Sequence, residues 1–218
     1  YFLLLQRRFK EALKSDEARF FLLLVAGSTA LITINIMPIY ENVWDSLRYA
    51  FFQVASIIST TGFATADFVL WPHFSQMILV ILMFCGACAG STGGGIKCSR
   101  VVMLLRSIRR ELHRIAHPRS VEVVRLDGKP VDESTLHSVL VFIGFYIMII
   151  LTAALVVSLD NVPFDVSFSA ALTCVSNVGP GLATIGPSGN FAAFSPLSKV
   201  VLSLCMIIGR LEIFPILV

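Results

Sequence analysis

The stretch STTGFAT, Ser59–Thr65, decides how the rest of the chain is interpreted. It follows a moderately apolar segment, Ser46–Ile58, that is too short to cross a bilayer, because a spanning helix needs about 20 residues. Asp45 precedes this segment, and an acidic residue in that position is typical of a helix N-cap. The pattern predicts a short capped helix that dips into the membrane and returns through a glycine-centred loop. Such a shape is tolerated only where the backbone is buried in protein or lines water.

The same pattern recurs later in the chain. SNVGPGL, Ser176–Leu182, follows the short apolar segment Val166–Val175, which Asp165 precedes. When Gly62 is aligned with Gly179, the two loops match without a gap. Each half of the chain is therefore predicted to form a helix, a short re-entrant helix, a glycine-centred loop and a further helix. Because both repeats share one orientation, we expect an axis along the membrane normal to relate them, and a pore to lie on that axis.

Longer apolar runs flank these loops and give the predicted spans. Phe20–Met37, Val139–Leu159 and Val200–Val218 are each long enough to cross a bilayer, or nearly so. Phe74–Cys85 is shorter, but together with Ile96–Leu105 it predicts a crossing that is broken in the middle. Because the sequence stops inside its last apolar run, we expect it to be a piece of a longer protein.

Composition and charge agree with a membrane protein. Hydrophobic residues make up 56% of the chain and charged residues 14%, whereas a soluble domain has about 25% charged residues. Basic residues cluster in Arg7–Arg19 and Lys97–Lys129, and the positive-inside rule puts both clusters in the cytoplasm. The polar segment Arg114–Asp132 is rich in turn formers, which predicts a cytoplasmic loop or small hairpin.

The segment GACAGSTGGGIK, Gly86–Lys97, lies at the break in the interrupted span. Half of the ten residues Gly86–Gly95 are glycine, and each glycine costs a helix up to about 1 kcal/mol. The segment therefore predicts a loop that can move. One alternative is that Gly86-x-x-x-Gly90 only allows close helix packing. A second is a phosphate loop, but Ile96 separates the glycines from the lysine and the preceding run is predicted to be a helix.

Cysteine chemistry is the remaining alternative for this region. Cys85-x-x-Cys88 is half of a metal motif, but the sequence has no second pair, and structural zinc requires four ligands. We therefore interpret the five cysteines as packing residues.

The two glycine-centred loops have the chemistry of an ion filter. A short helix entering from outside points its partly negative C-terminal end into the membrane, which favours a cation. Backbone carbonyls in series replace the water around a monovalent ion, and glycine permits the backbone angles that this requires. The candidate carbonyls, in a backbone expected to run extended, are those of Thr60, Thr61, Gly62, Phe63, Asn177, Val178, Gly179 and Pro180.

Neither loop contains a carboxylate, which argues against a divalent-selective site built from acidic rings. Four acids outside the loops would make the entrance negative and enrich cations there, although they also fit a solvated rim and helix caps. These acids are Glu41, Asp45, Asp67 and Asp165.

Three motifs resemble the Trk/Ktr/HKT superfamily of potassium transporters, and most closely its bacterial TrkH/TrkG-type subunit. They are STTGF at Ser59–Phe63, AGSTGGGIK at Ala89–Lys97 and GRLEIFP at Gly209–Pro215. The resemblance covers nearly the whole chain. It implies an all-α polytopic membrane protein of tandem helix–pore-loop–helix repeats around a pseudo-fourfold pore, with two of the four repeats present. Pro180 departs from the aromatic or apolar residue of the family, which predicts a less regular quarter and less strict selectivity.

The resemblance also implies the following boundaries. Residues 1–19 end the preceding helix and form a cytoplasmic basic segment, 20–115 are the third repeat, 116–137 a cytoplasmic loop and 138–218 the truncated fourth repeat. The filters fall at 59–65 and 176–182, and the intramembrane gating loop at 86–97. The gating residues implied are Gly86, Gly90, Ser91, Thr92, Gly93, Gly94, Gly95 and Arg210.

Arg210 attracts attention without the resemblance, because a guanidinium at the centre of a bilayer costs at least about 2.5 kcal/mol unless it faces protein or water. It is therefore expected to be functional or paired. The family places this arginine in the pore below the filter, where its charge would impede cations until the gating loop shifts. The alternative is that Arg210 only links helices, and the nearest acid, Glu212, lies on another face.

A basic face follows the gating loop, formed by Arg100, Arg106, Arg109, Arg110 and Arg114. It predicts contact with anionic lipid. The resemblance adds a cytosolic nucleotide-binding regulatory subunit of the TrkA/KtrA type as a partner on this side, and a homodimer. It implies a location in the bacterial inner membrane, K⁺ as the bound and transported ion, and no organic cofactor in this chain. We expect no nucleic-acid partner.

The sequence thus predicts potassium uptake, down its electrochemical gradient or coupled to another cation. The first alternative is a sodium or mixed-cation transporter of the same architecture, which Pro180 favours. The second is a membrane enzyme, but the sequence has no paired acid and base and no nucleophile with a histidine at membrane depth.

Overall fold

The computed structural model describes residues 15–117 and 122–211. Seven α-helices and one short β-hairpin account for most of these residues. The helices are α1 (Asp16–Ile36), α2 (Val43–Ile58), α3 (His73–Phe84), α4 (Cys98–Ala116), α5 (Glu133–Val157), α6 (Phe164–Ser176) and α7 (Pro196–Arg210), and the hairpin pairs β1 (Arg125–Leu126) with β2 (Lys129–Pro130). Turns of 3-10 helix lie at Phe68–Leu70, Ser158–Asp160 and Ala183–Ile185.

Two of the described helices are long and apolar enough to cross a bilayer. They are α1, with a mean hydropathy of 1.8, and α5 with the 3-10 turn that continues it to Asp160, with a mean hydropathy of 2.8. Both carry large apolar side chains that the rest of the chain does not cover, such as Leu23, which is 73% exposed, and Leu155, which is 71% exposed. In water such faces would be unfavourable, so lipid or further protein is expected to cover them.

The two halves of the chain pack in the same way. In the first half, α2 and α3 each contact α1 and also contact each other. In the second half, α6 and α7 make the same set of contacts with α5. The halves join where α3 meets α6 and where α4 meets α5, and one continuous apolar core runs through both. The short helix α6 is the centre of this core, since every residue from Ser169 to Ser176 is buried.

The predicted caps of the two short helices are wrong. Asn42, not Asp45, caps α2, and its side chain accepts a hydrogen bond from the Trp44 N–H. Pro163, not Asp165, precedes α6. Both acids instead lie in the first turn of their helices, where the positive end of the helix dipole still favours a carboxylate.

The interrupted span is a break between two helices. α3 ends at Phe84 and α4 begins at Cys98, and the thirteen residues between them are not helical. The helix-packing interpretation of Gly86-x-x-x-Gly90 is therefore wrong, because these glycines do not lie on a helix. The phosphate-loop interpretation also fails, since a helix rather than a strand precedes the glycines.

The polar segment after α4 contains the hairpin that was one of its two predicted forms. Asp127 and Gly128 form its turn with φ of +50° and +78°, the positive angles that Asp-Gly turns adopt readily. The last helix, α7, begins at Pro196 and ends at Arg210, and its N-cap residue Ser195 accepts a hydrogen bond from the Ser198 N–H. The basic residues of 1–14 and the end of the GRLEIFP motif lie outside the described residues.

Candidate ion-conduction site

The two predicted filter loops have the same backbone conformation at equivalent positions. Thr60 and Asn177 both have a φ near +55°, and Gly62 and Gly179 have φ of +75° and +111°. A positive φ is uncommon for a threonine, so its recurrence at the aligned asparagine is a structural sign of repetition. The expectation of an extended backbone is wrong at these positions, because left-handed and other residues alternate along each loop.

Hydroxyl groups of the short helices hold equivalent carbonyls of the loops. Ser56 Oγ donates to the Phe63 carbonyl at 2.6 Å, and Thr173 Oγ1 donates to the Pro180 carbonyl at 3.1 Å. Thr173 Oγ1 also accepts from the Gly179 N–H at 3.0 Å. Each bond uses one lone pair of its carbonyl and fixes where that carbonyl points. Pro180 therefore keeps the main-chain position that Phe63 has in the other loop.

The loops meet each other at the mouth of a cavity. A Cβ added to Gly62 would overlap the carbonyl oxygen of Val178, so the two backbones approach more closely than a side chain would allow. A cavity of about 340 Å³ adjoins them, with walls formed by both loops and by the segment around Gly186. Phe63, which is 72% exposed, projects from the first loop.

The glycine-rich break lies directly against the filter loops. The Gly94 N–H donates to Thr60 Oγ1 at 3.2 Å, and a Cβ at Gly94 would overlap the carbonyl oxygen of Ser176. Glycine is thus required at this position by close approach to the end of α6. The structure brings the predicted gating segment and both predicted filters together in one place.

Backbone hydrogen bonds and one lysine join the two ends of the break and hold its middle part in place. The Gly86 N–H donates to the Ile96 carbonyl at 2.8 Å, and the Ile96 N–H donates to the Phe84 carbonyl at 2.9 Å. Lys97 Nζ donates to the carbonyls of Ser91 and Gly93 at 2.9 and 2.5 Å. Lys97 is only 4% exposed, so it is a buried cation, and these loop carbonyls are among its partners.

Arg210 contacts the same loop from α7. Its Nη1 donates to the Thr92 carbonyl, so the guanidinium joins the last helix to the gating segment. Asn177 makes a second link between the filter and α7, because its Nδ2 donates to the Met206 carbonyl at 3.1 Å. The predicted filter loops, the predicted gating segment and Arg210 therefore form one connected group.

The predicted basic face divides into paired and open positions. Arg110 Nη1 contacts the Glu133 carboxylate at 2.5 Å, and the hydrogen bond from this carboxylate raises the pKa of the Arg110 guanidinium. Arg106 contacts Asp16 at 2.7 Å and also donates to the Arg125 carbonyl. Arg114 lies 3.9 Å from Glu111, and Arg109 is exposed.

Two of the predicted entrance acids make hydrogen bonds of their own. Asp67 accepts a hydrogen bond from Ser188 Oγ at 2.6 Å and caps the 3-10 turn at Phe68–Leu70, so it links two loops beside the cavity. Asp165 Oδ1 accepts from the Val166 N–H. Across residues 15–117 and 122–211, no three His, Cys, Asp or Glu side chains are arranged to hold a metal ion.

Sequence reasoning missed two residues that hold the site. The sequence placed Lys97 at the end of the predicted gating loop and at the start of the basic run, but it indicated no role for this lysine in holding the loop. Tyr146, in α5, makes a buried 2.6 Å hydrogen bond to Ser176 Oγ at the end of α6. No pattern in the sequence marks Tyr146, because it lies in a uniformly apolar run.

Comparisons with known proteins agree on one family. The profile of the TrkH family, described as a cation transport protein, matches residues 11–218. The chain is 34% identical to the Trk system potassium uptake protein TrkH of Salmonella typhimurium, over 87% of this chain and 40% of that protein. It is 29% identical to the Trk system potassium uptake protein TrkG of Escherichia coli, over 100% of this chain and 45% of that protein. The chain therefore spans less than half the length of these relatives.

The structural comparison agrees. The crystal structure of the potassium transporter TrkH from Vibrio parahaemolyticus superposes with a TM-score of 0.84 and 32% identity, over 94% of this chain and 44% of that chain. The predicted fold class, an all-α membrane protein built from tandem pore repeats, is confirmed. With the matching profile and the structural superposition taken together, the chain belongs to the TrkH family of cation transport proteins.

Proposed function

We propose that this chain is part of a protein that takes up potassium ions across the bacterial cytoplasmic membrane. In this proposal its two glycine-centred loops form two quarters of a selectivity filter. The carbonyls of Thr60, Thr61 and Gly62 and of Asn177, Val178 and Gly179 replace the water around K⁺. Those of Phe63 and Pro180 each already accept one hydrogen bond and have a lone pair left for the ion.

The observation that carries the proposal is the matched geometry of the two loops. Positive φ angles recur at Thr60 and Asn177 and at Gly62 and Gly179, and a helix hydroxyl binds the last carbonyl of each loop. A repeated, braced backbone with no carboxylate in it is suited to a monovalent cation. The relatives named potassium uptake proteins support the choice of K⁺.

The gate in this proposal is the segment 86–97 together with Arg210. Gly94 lies against Thr60 and Ser176, so the segment blocks the path below the filter. Arg210 adds a fixed positive charge next to the Thr92 carbonyl. Conduction then requires the segment and the guanidinium to move aside.

Regulation and assembly complete the proposal. A cytosolic nucleotide-binding subunit docks near the exposed part of the basic face and biases the gate, and the whole protein forms a homodimer in the membrane. The remaining pore quarters come from the part of the protein that precedes this chain.

The decisive experiment is an ion flux measurement on the full-length protein in proteoliposomes, with K⁺ and Na⁺ gradients compared. We expect K⁺ influx well above Na⁺ influx. Equal permeation of Na⁺ would favour the sodium or mixed-cation alternative that Pro180 suggested. No flux of either ion would reject a conducting role.

Arg210→Ala tests the gate in the same assay. The substitution removes the positive charge and the bond to Thr92, so K⁺ influx without the regulator should rise severalfold. Arg210→Lys is the matched control, since it keeps the charge and loses the fork-shaped donor group. Potassium influx that is unchanged in Arg210→Ala would remove the gate role from this residue.

A further inference from the structure

Glu17, in the first turn of α1, contacts both sides of the break in the interrupted span. One of its carboxylate oxygens, Oε1, accepts the backbone N–H of Ala89 at 2.6 Å and the backbone N–H of Ser99 at 3.0 Å. Ala89 belongs to the gating segment, and Ser99 lies in the first turn of α4. A single side chain of α1 therefore joins the gating segment to the helix that follows it.

The helix α4 needs this carboxylate because it has no cap of its own. The residue in its N-cap position, Lys97, makes no side-chain capping bond. The first N–H groups of a helix have no partner within the helix, and the positive end of the helix dipole favours an anion there. Glu17 supplies both the acceptor and the charge, and hydrogen bonds to an ionised acceptor are stronger than neutral ones.

The residue before Glu17 fixes the position of this turn. The Asp16 carboxylate accepts from Arg106 at 2.7 Å and from the Asp127 N–H at 2.9 Å, and Asp127 Oδ1 accepts the Asp16 N–H at 2.6 Å. The start of α1 is thus bound to α4 and to the turn of the hairpin. Glu17 projects from a braced helix end rather than from a frayed one.

We propose that Glu17 is a positioning residue of the gate, which holds the Ala89 end of the gating segment so that Gly94 stays against the filter. This inference rests on the proposed function, because it gives the segment a closed position beneath a conducting filter. Arg210 binds the same segment three residues further along, through the Thr92 carbonyl. When the Glu17 bond is absent, the segment is still bonded to Arg210, to Thr60, to itself and to Cys98, which donates to the carbonyls of Gly86 and Ala87. The Ala89 N–H, however, loses its partner from α1.

The test compares Glu17→Ala and Glu17→Asp with the unmodified full-length protein in proteoliposomes. Aspartate keeps a negative charge near the start of α4, but it is one methylene shorter and does not reach Ala89. Two quantities are measured without the regulator: K⁺ influx, and the rate at which a water-soluble reagent modifies the Cys88 thiol in a Cys85→Ala background. Cys88 is partly exposed and adjoins Ala89, so it reports movement of the segment directly.

Both variants should raise K⁺ influx and Cys88 modification about tenfold, the effect of losing one hydrogen bond to a charged group. Cys98, which is 0% exposed, should stay unmodified, because the fold is intact. Asp132→Ala is the matched control: Asp132 is an exposed acid at the start of α5 that makes no capping bond, and its loss should change neither quantity.

The two readouts separate this inference from the proposed function. Unchanged Cys88 modification in the Glu17 variants would overturn the positioning role, whatever the flux. Faster Cys88 modification in the Glu17 variants would support the positioning role. If the unmodified protein also showed no K⁺ flux, the proposed function would be rejected while the positioning role stood. If Glu17→Ala does not assemble, the rate of Cys88 modification in Glu17→Asp alone tests the positioning role.

Discussion

One glycine of the predicted filter and one of the predicted gating segment are constrained by the close approach of neighbouring backbone atoms. Gly94 has no side chain because the Ser176 carbonyl oxygen occupies the space of a Cβ, and Gly62 has none because Val178 lies there. Gly27 and Gly144, in contrast, have open space around them. The sequence already placed Gly62 and Gly94 in the predicted loops, and the packing shows why no larger residue fits at these two positions.

Tyr146→Phe should weaken the support of the second filter loop. The substitution leaves Ser176 Oγ buried without its 2.6 Å partner, at a cost of about 1 kcal/mol. We expect the midpoint of thermal inactivation to fall by about 2–4 °C and the K⁺ to Na⁺ flux ratio to fall severalfold. The measurements are a thermal scan in detergent and paired ion fluxes.

Tyr49→Phe is the control for this change, since the Tyr49 hydroxyl makes only an exposed bond with its neighbour Arg48. If the K⁺ to Na⁺ flux ratio of Tyr146→Phe equals that of the unmodified protein, the Ser176 bond contributes to stability alone.

At the scale of elements, the gating segment is a loop whose conformation depends on one buried cation. Lys97 joins the carbonyls of Ser91 and Gly93, so the segment returns on itself before α4 begins. Without that cation, two carbonyls in a buried region would lose their donor. The glycines allow the segment to leave the helical conformation, and the hydrogen bonds from Lys97 fix the conformation that it adopts.

Lys97→Met should loosen the segment while keeping the volume of the side chain. The Ser91 and Gly93 carbonyls lose a charged donor, so the segment should leave its closed position more often. We expect regulator-free K⁺ influx to rise by about tenfold or more, measured as uptake into proteoliposomes. Lys199→Met is the control, because Lys199 donates to an exposed carbonyl in a different loop. Equal influx in Lys97→Met and the unmodified protein would contradict this account.

The two short helices support their loops through equivalent hydroxyls, which predicts equivalent defects. Ser56→Ala and Thr173→Ala each remove the bond to the last carbonyl of a loop. Both variants should lower the K⁺ to Na⁺ flux ratio severalfold, with the larger effect at Thr173, because its hydroxyl also binds the Gly179 N–H. Thr152→Ala, at an exposed hydroxyl of α5, should leave the ratio unchanged. A defect in only one of the two halves would argue against a shared filter.

At the scale of the whole molecule, the chain spans less than half the length of its relatives. Phe63 in the first predicted filter loop and the long helices leave apolar surface open. The basic face on α4 is also only partly open. Arg106 and Arg110 are bound to acids of α1 and α5, so their substitution would disturb the fold as well as any partner.

Arg109→Glu therefore tests regulator docking more cleanly than a change at Arg110. Arg109 is exposed on α4, and reversing its charge should weaken binding of the cytosolic subunit severalfold in a pull-down or calorimetric titration, while basal flux stays the same. Arg110→Glu is the comparison variant, and it should also lower stability because it places two acids beside each other at Glu133. If Arg109→Glu binds the cytosolic subunit as tightly as the unmodified protein does, the subunit does not dock at Arg109.

The sequence by itself determined the order of long and short helices, the repeat and the break at Gly86–Lys97. These follow from apolar length and from glycine content, which are local properties of the chain. It did not determine the helix caps, since Asn42 and an acid three residues later are equally good candidates by type.

Only the tertiary structure decided which residues brace the site. Glu17 and Ala89, Arg210 and Thr92, and Tyr146 and Ser176 are each far apart in the chain and meet because helices pack side by side. Contacts of this kind depend on where each backbone lies to within about an ångström, and no local pattern carries that information. The physical reason is that hydrophobic periodicity fixes which elements form, whereas close packing and buried hydrogen bonds fix which of their side chains meet.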